Sequence, residues 1–239
     1  MGILENIRKM KEMKLNAAAN PSKYSFTPGP AHSDAFNAFF SHLYATGMEF
    51  AYGAFDKGIF SKIRDDEREE IEDAIFEYVD SCGELVIFFP ELKKYNGIAY
   101  LKDLLEDRRK KDCPLAHYDV LIARTLYEAT GDESYLDLII KCHEESGDHS
   151  ILATLSYMKP CRKIYDYMID MYIRLDDAAA RFSAVDAMLC YKGYLKNPMD
   201  NAESQGLKDF MRIFMSDDPE QRKETAERFD RGELKPDED

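Results

Sequence analysis

The chain has 239 residues, 45% of them apolar and 33% charged, with a formal net charge of −14. That balance is globular rather than disordered, and the length can bury a sizeable core. The acidic excess argues against nucleic acid as a partner, since a phosphate backbone repels it, and favours a protein with a basic surface.

The periodicity predicts a helix over 3–18, with Ile3, Leu4, Ile7 and Met10 on one face. Residues 20–33, "NPSKYSFTPGPAHS", carry three prolines and read as a linker. Ser33 or Asp34 then caps a helix rich in Phe36, Phe39, Phe40 and Leu43. Residues 65–83, "DDEREEIEDAIFEYVDSCG", read as one amphipathic helix, with acid in its first turn and Gly83 at its C-terminal cap. "ELVIFF" (84–89) is strand-like in composition, but Pro90 and its helical neighbourhood favour a buried helical turn. Helices are then expected at 98–111, 114–130, 133–146, 149–157, 160–174, 177–192, 203–215 and 219–230. Gly131 and Asp132 illustrate the joints: the glycine ends one helix left-handed and the aspartate caps the next. The domain expectation is an N-terminal helix and linker (1–33), a helical domain over 34–230 with an atypical or capping part at 34–96, and a polar tail (231–239).

No run approaches the roughly 18 apolar residues of a membrane helix. The charged N-terminus lacks the apolar core of a secretion signal. Cys82, Cys113, Cys142, Cys161 and Cys190 are odd in number and form no CxxC. Together these lead to the expectation of a cytoplasmic protein with reduced thiols and no membrane association.

Two segments align without a gap at an offset of 41: "IDMYIRLDDAAARFSAVDAM" (169–188) and "FMRIFMSDDPEQRKETAERF" (210–229). Asp176 matches Asp217, Asp177 matches Asp218, and Arg181 matches Arg222. Each segment is an apolar helix, an Asp-Asp turn, and a second helix with an arginine one turn in and small residues, Ala184 and Ala226, beyond it. This resembles the HEAT-like (armadillo-type) helical-repeat family over about 165–230, and the offset lies within the range such repeats use. The resemblance implies an all-α fold of stacked antiparallel helix hairpins, an α-solenoid or an irregular bundle. It weakens upstream, where His117 stands in the place of the arginine.

The densest polar stretch is "KCHEESGDHS" (141–150). Cys142, His143 and His149 are ligand types for a metal. Neighbours on a helix diverge by about 100°, however, so Cys142 and His143 do not easily face one ion. Deoxyhypusine hydroxylase, a HEAT-like enzyme, holds iron with several His-Glu pairs. This chain has only His143-Glu144. No GxSxG, Walker A, GxGxxG or HExxH is present. The sequence therefore leads to a non-enzymatic scaffold that binds a protein with a basic surface, one form being an inhibitor of the immunity or antitoxin kind, with no cofactor. The competing expectation is an enzyme with an uncommon helical site around Cys142, His143 and His149. Asp132, Asp177 and Asp218 are expected as structural caps.

Overall fold

The structure, a computed structural model, describes residues 28–45, 54–110, 117–196, 198 and 205–236. The expected helix at 3–18 and Cys113 lie outside them. Among the described residues every regular element is helical and none is a strand. The α-helices are α1 (Asp34–Leu43), α2 (Arg68–Tyr78), α3 (Gly97–Lys110), α4 (His117–Thr130), α5 (Ser134–Ser146), α6 (Ser150–Ser156), α7 (Arg162–Arg174), α8 (Ala178–Tyr191), α9 (Gln205–Met211) and α10 (Pro219–Asp230). Short 3₁₀ helices cover Ile59–Ser61, Asp65–Glu67, Gly83–Glu91 and Arg212–Phe214. Two compact units emerge, Met1–Pro114 with Leu121–Gly131 and Leu115–Val120 with Asp132–Asp239, the division falling within α4.

In the first unit an aromatic core gathers Phe36, Phe39, Phe40, Phe55, Phe88 and Phe89, all buried, with Ile71, Ile75 and Leu101. Fully burying one such side chain stabilises by roughly 1.5–3 kcal/mol. Ser33 caps α1, its hydroxyl accepting from Phe36 N at 3.2 Å. The expected helix over 65–83 is interrupted at both ends. Asp65–Glu67 is 3₁₀, and α2 stops at Tyr78 because the Ser81 and Cys82 amides and the Ser81 hydroxyl all converge on the Tyr78 carbonyl. Gly83 therefore starts the next element instead of capping this one. The apolar run at 84–89 is helical, as the sequence suggested, but forms a 3₁₀ helix that continues through Pro90 to Glu91.

Two buried carboxylates hold this unit's turns. Glu67 accepts from Ser33 N and Ser33 Oγ, both at 2.7 Å, and from Arg64 N at 2.9 Å, which ties the start of α1 to the start of α2. Glu72 accepts from Arg68 Nε at 2.6 Å, Lys94 N at 2.7 Å and Lys93 N at 3.1 Å, which ties α2 to the turn before α3. A buried carboxylate is tolerable when its lone pairs are met in this way. At Gly97 a Cβ would stand 1.9 Å from the Phe89 carbonyl oxygen, so only glycine permits this approach.

In the second unit α8 is the central element. Its residues Ala184–Cys190 are buried all round, and it packs against both α6 and α7. The three residues between α7 and α8 make these two a hairpin. Helix α10 also packs on α7. Arg222, near the start of α10, bonds to the Ile173 carbonyl near the end of α7, and Asp230 at the end of α10 lies 3.7 Å from Arg162 at the start of α7. The two therefore run antiparallel. Lys192, just past α8, donates to the Asp230 carbonyl at 2.9 Å, while Arg181 reaches Asp217 at the other end. Helices α8 and α10 thus run in the same direction, each starting from its own Asp-Asp turn at one edge of the unit.

Candidate functional site

That edge is built by reciprocal bonds. Asp177 is the N-cap of α8, accepting from Ala180 N at 2.7 Å; Asp218 is the N-cap of α10, accepting from Glu220 N at 3.0 Å. Each satisfies an amide that the first helical turn leaves unbonded. Arg181 donates Nη1 to the Asp176 carbonyl at 2.9 Å and Nη2 to the Asp217 carboxylate at 2.8 Å. Arg222 donates Nη1 to the Asp217 carbonyl at 2.8 Å, donates Nε and Nη2 to the Ile173 carbonyl at 3.1 and 2.9 Å, and lies 3.5 Å from the Asp176 carboxylate. Each arginine thus binds the backbone of its own turn and the aspartate of the other.

The charges are sorted by this arrangement. Arg222 is 0% and the Arg181 side chain 9% exposed, whereas Asp176 and Asp217 are each 93% exposed. Cations point inward and carboxylates outward, with Asp177, Asp218 and Glu220 also on the surface. The neighbouring Arg174 and Arg212 are spent on Asp170 and Asp209. Large apolar side chains stay uncovered beside these acids: Phe182 (37% exposed) follows Arg181, and Ile213 (45%) and Met215 (47%) directly precede the second turn. Among the described residues the only other exposed large apolar side chain is Tyr157.

A second polar constellation lies in the same unit. His143, buried on α5, has Nδ1 2.6 Å from the Tyr167 hydroxyl on α7 and Nε2 3.0 Å from His149 Nδ1 at the start of α6. Burial, reinforced by the charge of His149, holds His143 below its ordinary value. Burial likewise pushes the Tyr167 hydroxyl up to about 12. Both groups are therefore neutral at pH 7. Gly147, at φ +66°, turns the chain between α5 and α6 and so brings His149 back to His143.

Of the three possible ligands, His143 and His149 meet, and the partner that completes their chain is Tyr167 rather than Cys142. The Cys142 thiol is pushed up to about 11, first by burial and then by Asp119 and Glu145, so it stays protonated and a poor ligand or nucleophile. Among the described residues no group of three His, Cys, Asp or Glu is placed to hold a metal ion. The N-cap of α5 is Glu133, without a side-chain bond, one residue after the expected Asp132, whose carboxylate accepts from Ser134 N at 3.0 Å. The sequence reading missed Tyr167, Glu67 and Glu72. Tyr167 lies 24 residues from His143, and the two glutamates sit in a run that reads as solvated acid. An open cleft of about 340 Å³ in the first unit is lined by Asp65, Arg68, Glu69, Glu72, Lys93 and Lys94, but Glu72, Arg68 and Lys94 already bond to protein groups there.

Comparison with models of protein families, with curated proteins and with solved structures finds no match.

Proposed function

We propose that this chain is a binding module of HEAT-like hairpins whose acidic, partly apolar edge docks a protein segment carrying basic residues around an apolar anchor. The observation that carries this reading is the sorting of charge at the Asp-Asp turns. Arg181 and Arg222 are turned inward to hold the turns, while their aspartates and the side chains of Phe182, Ile213 and Met215 face water. A rigid edge of that kind has little order left to lose on binding, which favours affinity. The carboxylates would speed encounter with a cationic partner, and the apolar side chains would supply the desolvated contact. The net charge of −14 acts in the same direction over longer range. An inhibitor of a basic enzyme is one role that such an edge would suit.

The test uses two labelled helical peptides of equal apolar content, one built from Leu and Lys and the other from Leu and Glu. Fluorescence anisotropy with the full chain should show salt-dependent binding of the Leu/Lys peptide alone. Phe182→Ser with Met215→Ser should weaken it at least about tenfold, the loss expected when a central apolar anchor is removed. Asp177→Asn with Asp218→Asn keeps both caps while removing two charges, so it should flatten the salt dependence. Equal binding of both peptides, or no response to either double substitution, would remove the support for this edge.

A further inference from the structure

The chain Tyr167–His143–His149 joins three elements of the second unit through two ring nitrogens of one buried histidine. It lies apart from the residues of the Asp-Asp turns. We propose that His143 and His149 form a single-proton pair that opens when a second proton is added, freeing the α5–α6 turn from Tyr167 on α7.

The geometry sets this limit. A neutral imidazole has one donor and one acceptor nitrogen. In the neutral chain one N–H bridges the rings in either of two tautomers: the Tyr167 hydroxyl donates to His143 Nδ1 and His143 Nε2–H to His149 Nδ1, or His149 Nδ1–H donates to His143 Nε2 and His143 Nδ1–H to the hydroxyl. A first proton fits without rearrangement of the rings. One N–H still bridges the two facing nitrogens, and the Tyr167 hydroxyl rotates to accept from His143 Nδ1–H. A second proton leaves both facing nitrogens protonated. Two N–H groups on two cations then face each other across 3.0 Å, and the link breaks.

The surroundings do not cancel that repulsion. From α5, Glu144 acts on Tyr167 and Glu145 on Cys142. In the turn, Asp148 favours charge on His143, but its carboxylate is engaged by Ser150 N at 3.0 Å. From α7, Arg174 opposes charge on His143 and pairs with Asp170. From α4, His117 acts on Asp148. The segment released is short. Helix α6 has seven residues, and its first amides, Ile151 N and Leu152 N, bond to the Asp148 and His149 carbonyls at 3.1 Å. Losing the His149 anchor loosens these bonds first.

The experiment follows the full-length chain from pH 8 to pH 5. Long-range ¹H–¹⁵N spectra of the imidazoles report proton uptake, and hydrogen exchange of Ile151 and Leu152, corrected for intrinsic rates, reports opening. The expected result is uptake in two coupled steps, with exchange rising only in the second, by about tenfold for each unit by which the second step is displaced. In His149→Gln, at a half-buried site, His143 takes up its proton alone and the exchange step disappears. Independent single-site titration of the two rings, or an exchange step that persists in His149→Gln, would overturn the proposal. The native chain's spectra decide between these outcomes even if the variant does not fold.

Discussion

Replacing Arg222 with alanine should be among the most damaging single changes in the second unit. The side chain is 0% exposed and directs four polar contacts at three groups: the carbonyls of Ile173 and Asp217 and the carboxylate of Asp176. Alanine leaves two carbonyls without their donors. Each unsatisfied buried group costs about 1–3 kcal/mol, and the volume vacated by the guanidinium and its stem adds a cavity term. The expected loss is therefore about 3–5 kcal/mol, partly offset where water enters. Asp176 is the contrast. It is 93% exposed and 3.5 Å from Arg222, so Asp176→Ala should cost less than about 1 kcal/mol. Arg222→Lys keeps the charge but cannot span all three acceptors, and should fall between the two. Urea unfolding followed by circular dichroism, with amide exchange of α7, α8 and α10 to isolate the second unit, measures all three variants. A loss under about 1 kcal/mol for Arg222→Ala, or an equal loss for Asp176→Ala, would refute this role for the buried guanidinium.

Three further outcomes are expected. Asp177→Ala removes the bond to Ala180 N and should cost about 0.5–2 kcal/mol in the same unfolding assay, while Asp177→Asn restores most of it. Gly97→Ala drives a Cβ into the Phe89 backbone and should cost roughly 3 kcal/mol or prevent folding, seen as a lost or much lowered thermal transition. Burial works against the Glu67 carboxylate, but bonds from Arg64 N and from the Ser33 hydroxyl and amide, with the Arg64 charge, outweigh it and hold the group at about 2. Its folded value lies below its ordinary 4.5, so its stabilisation is complete above 4.5 and is lost as pH falls from there toward 2. Thermal melts of Glu67→Gln should be less stable at neutral pH and show a shallower loss across that acid window.

The helical pattern was legible because apolar spacing and caps agree locally. Gly131, at φ +71°, adopts the left-handed turn expected of it, and α10 has the bounds read from "DDPEQRKETAERFD". The caps at Asp177 and Asp218 follow from the same local chemistry. What the sequence hid depends on residues far apart. Glu67 and Glu72 look like any surface acid in "DDEREEIED" until amides from residues 33, 93 and 94 arrive to bond them. Tyr167 gives no sign of its role until α7 is laid beside α5. The end of α2 was misplaced because Ser81 closes it with its hydroxyl, a competition with helix continuation that glycine-based stop signals do not capture. At Arg222 the spacing placed the arginine one turn into its helix but not its partners: the carbonyls of Asp217 and Ile173 receive its shortest bonds, and the Asp176 carboxylate lies farther off.

Amide chemical-shift mapping tests the proposed docking edge most directly. The ¹⁵N-labelled full chain is titrated with the Leu/Lys peptide at moderate salt. Perturbations should concentrate at residues 176–182 and 213–220, saturate with added peptide, and be absent with the Leu/Glu peptide. Saturable perturbations centred elsewhere, or none at these residues at millimolar peptide, would contradict docking at this edge.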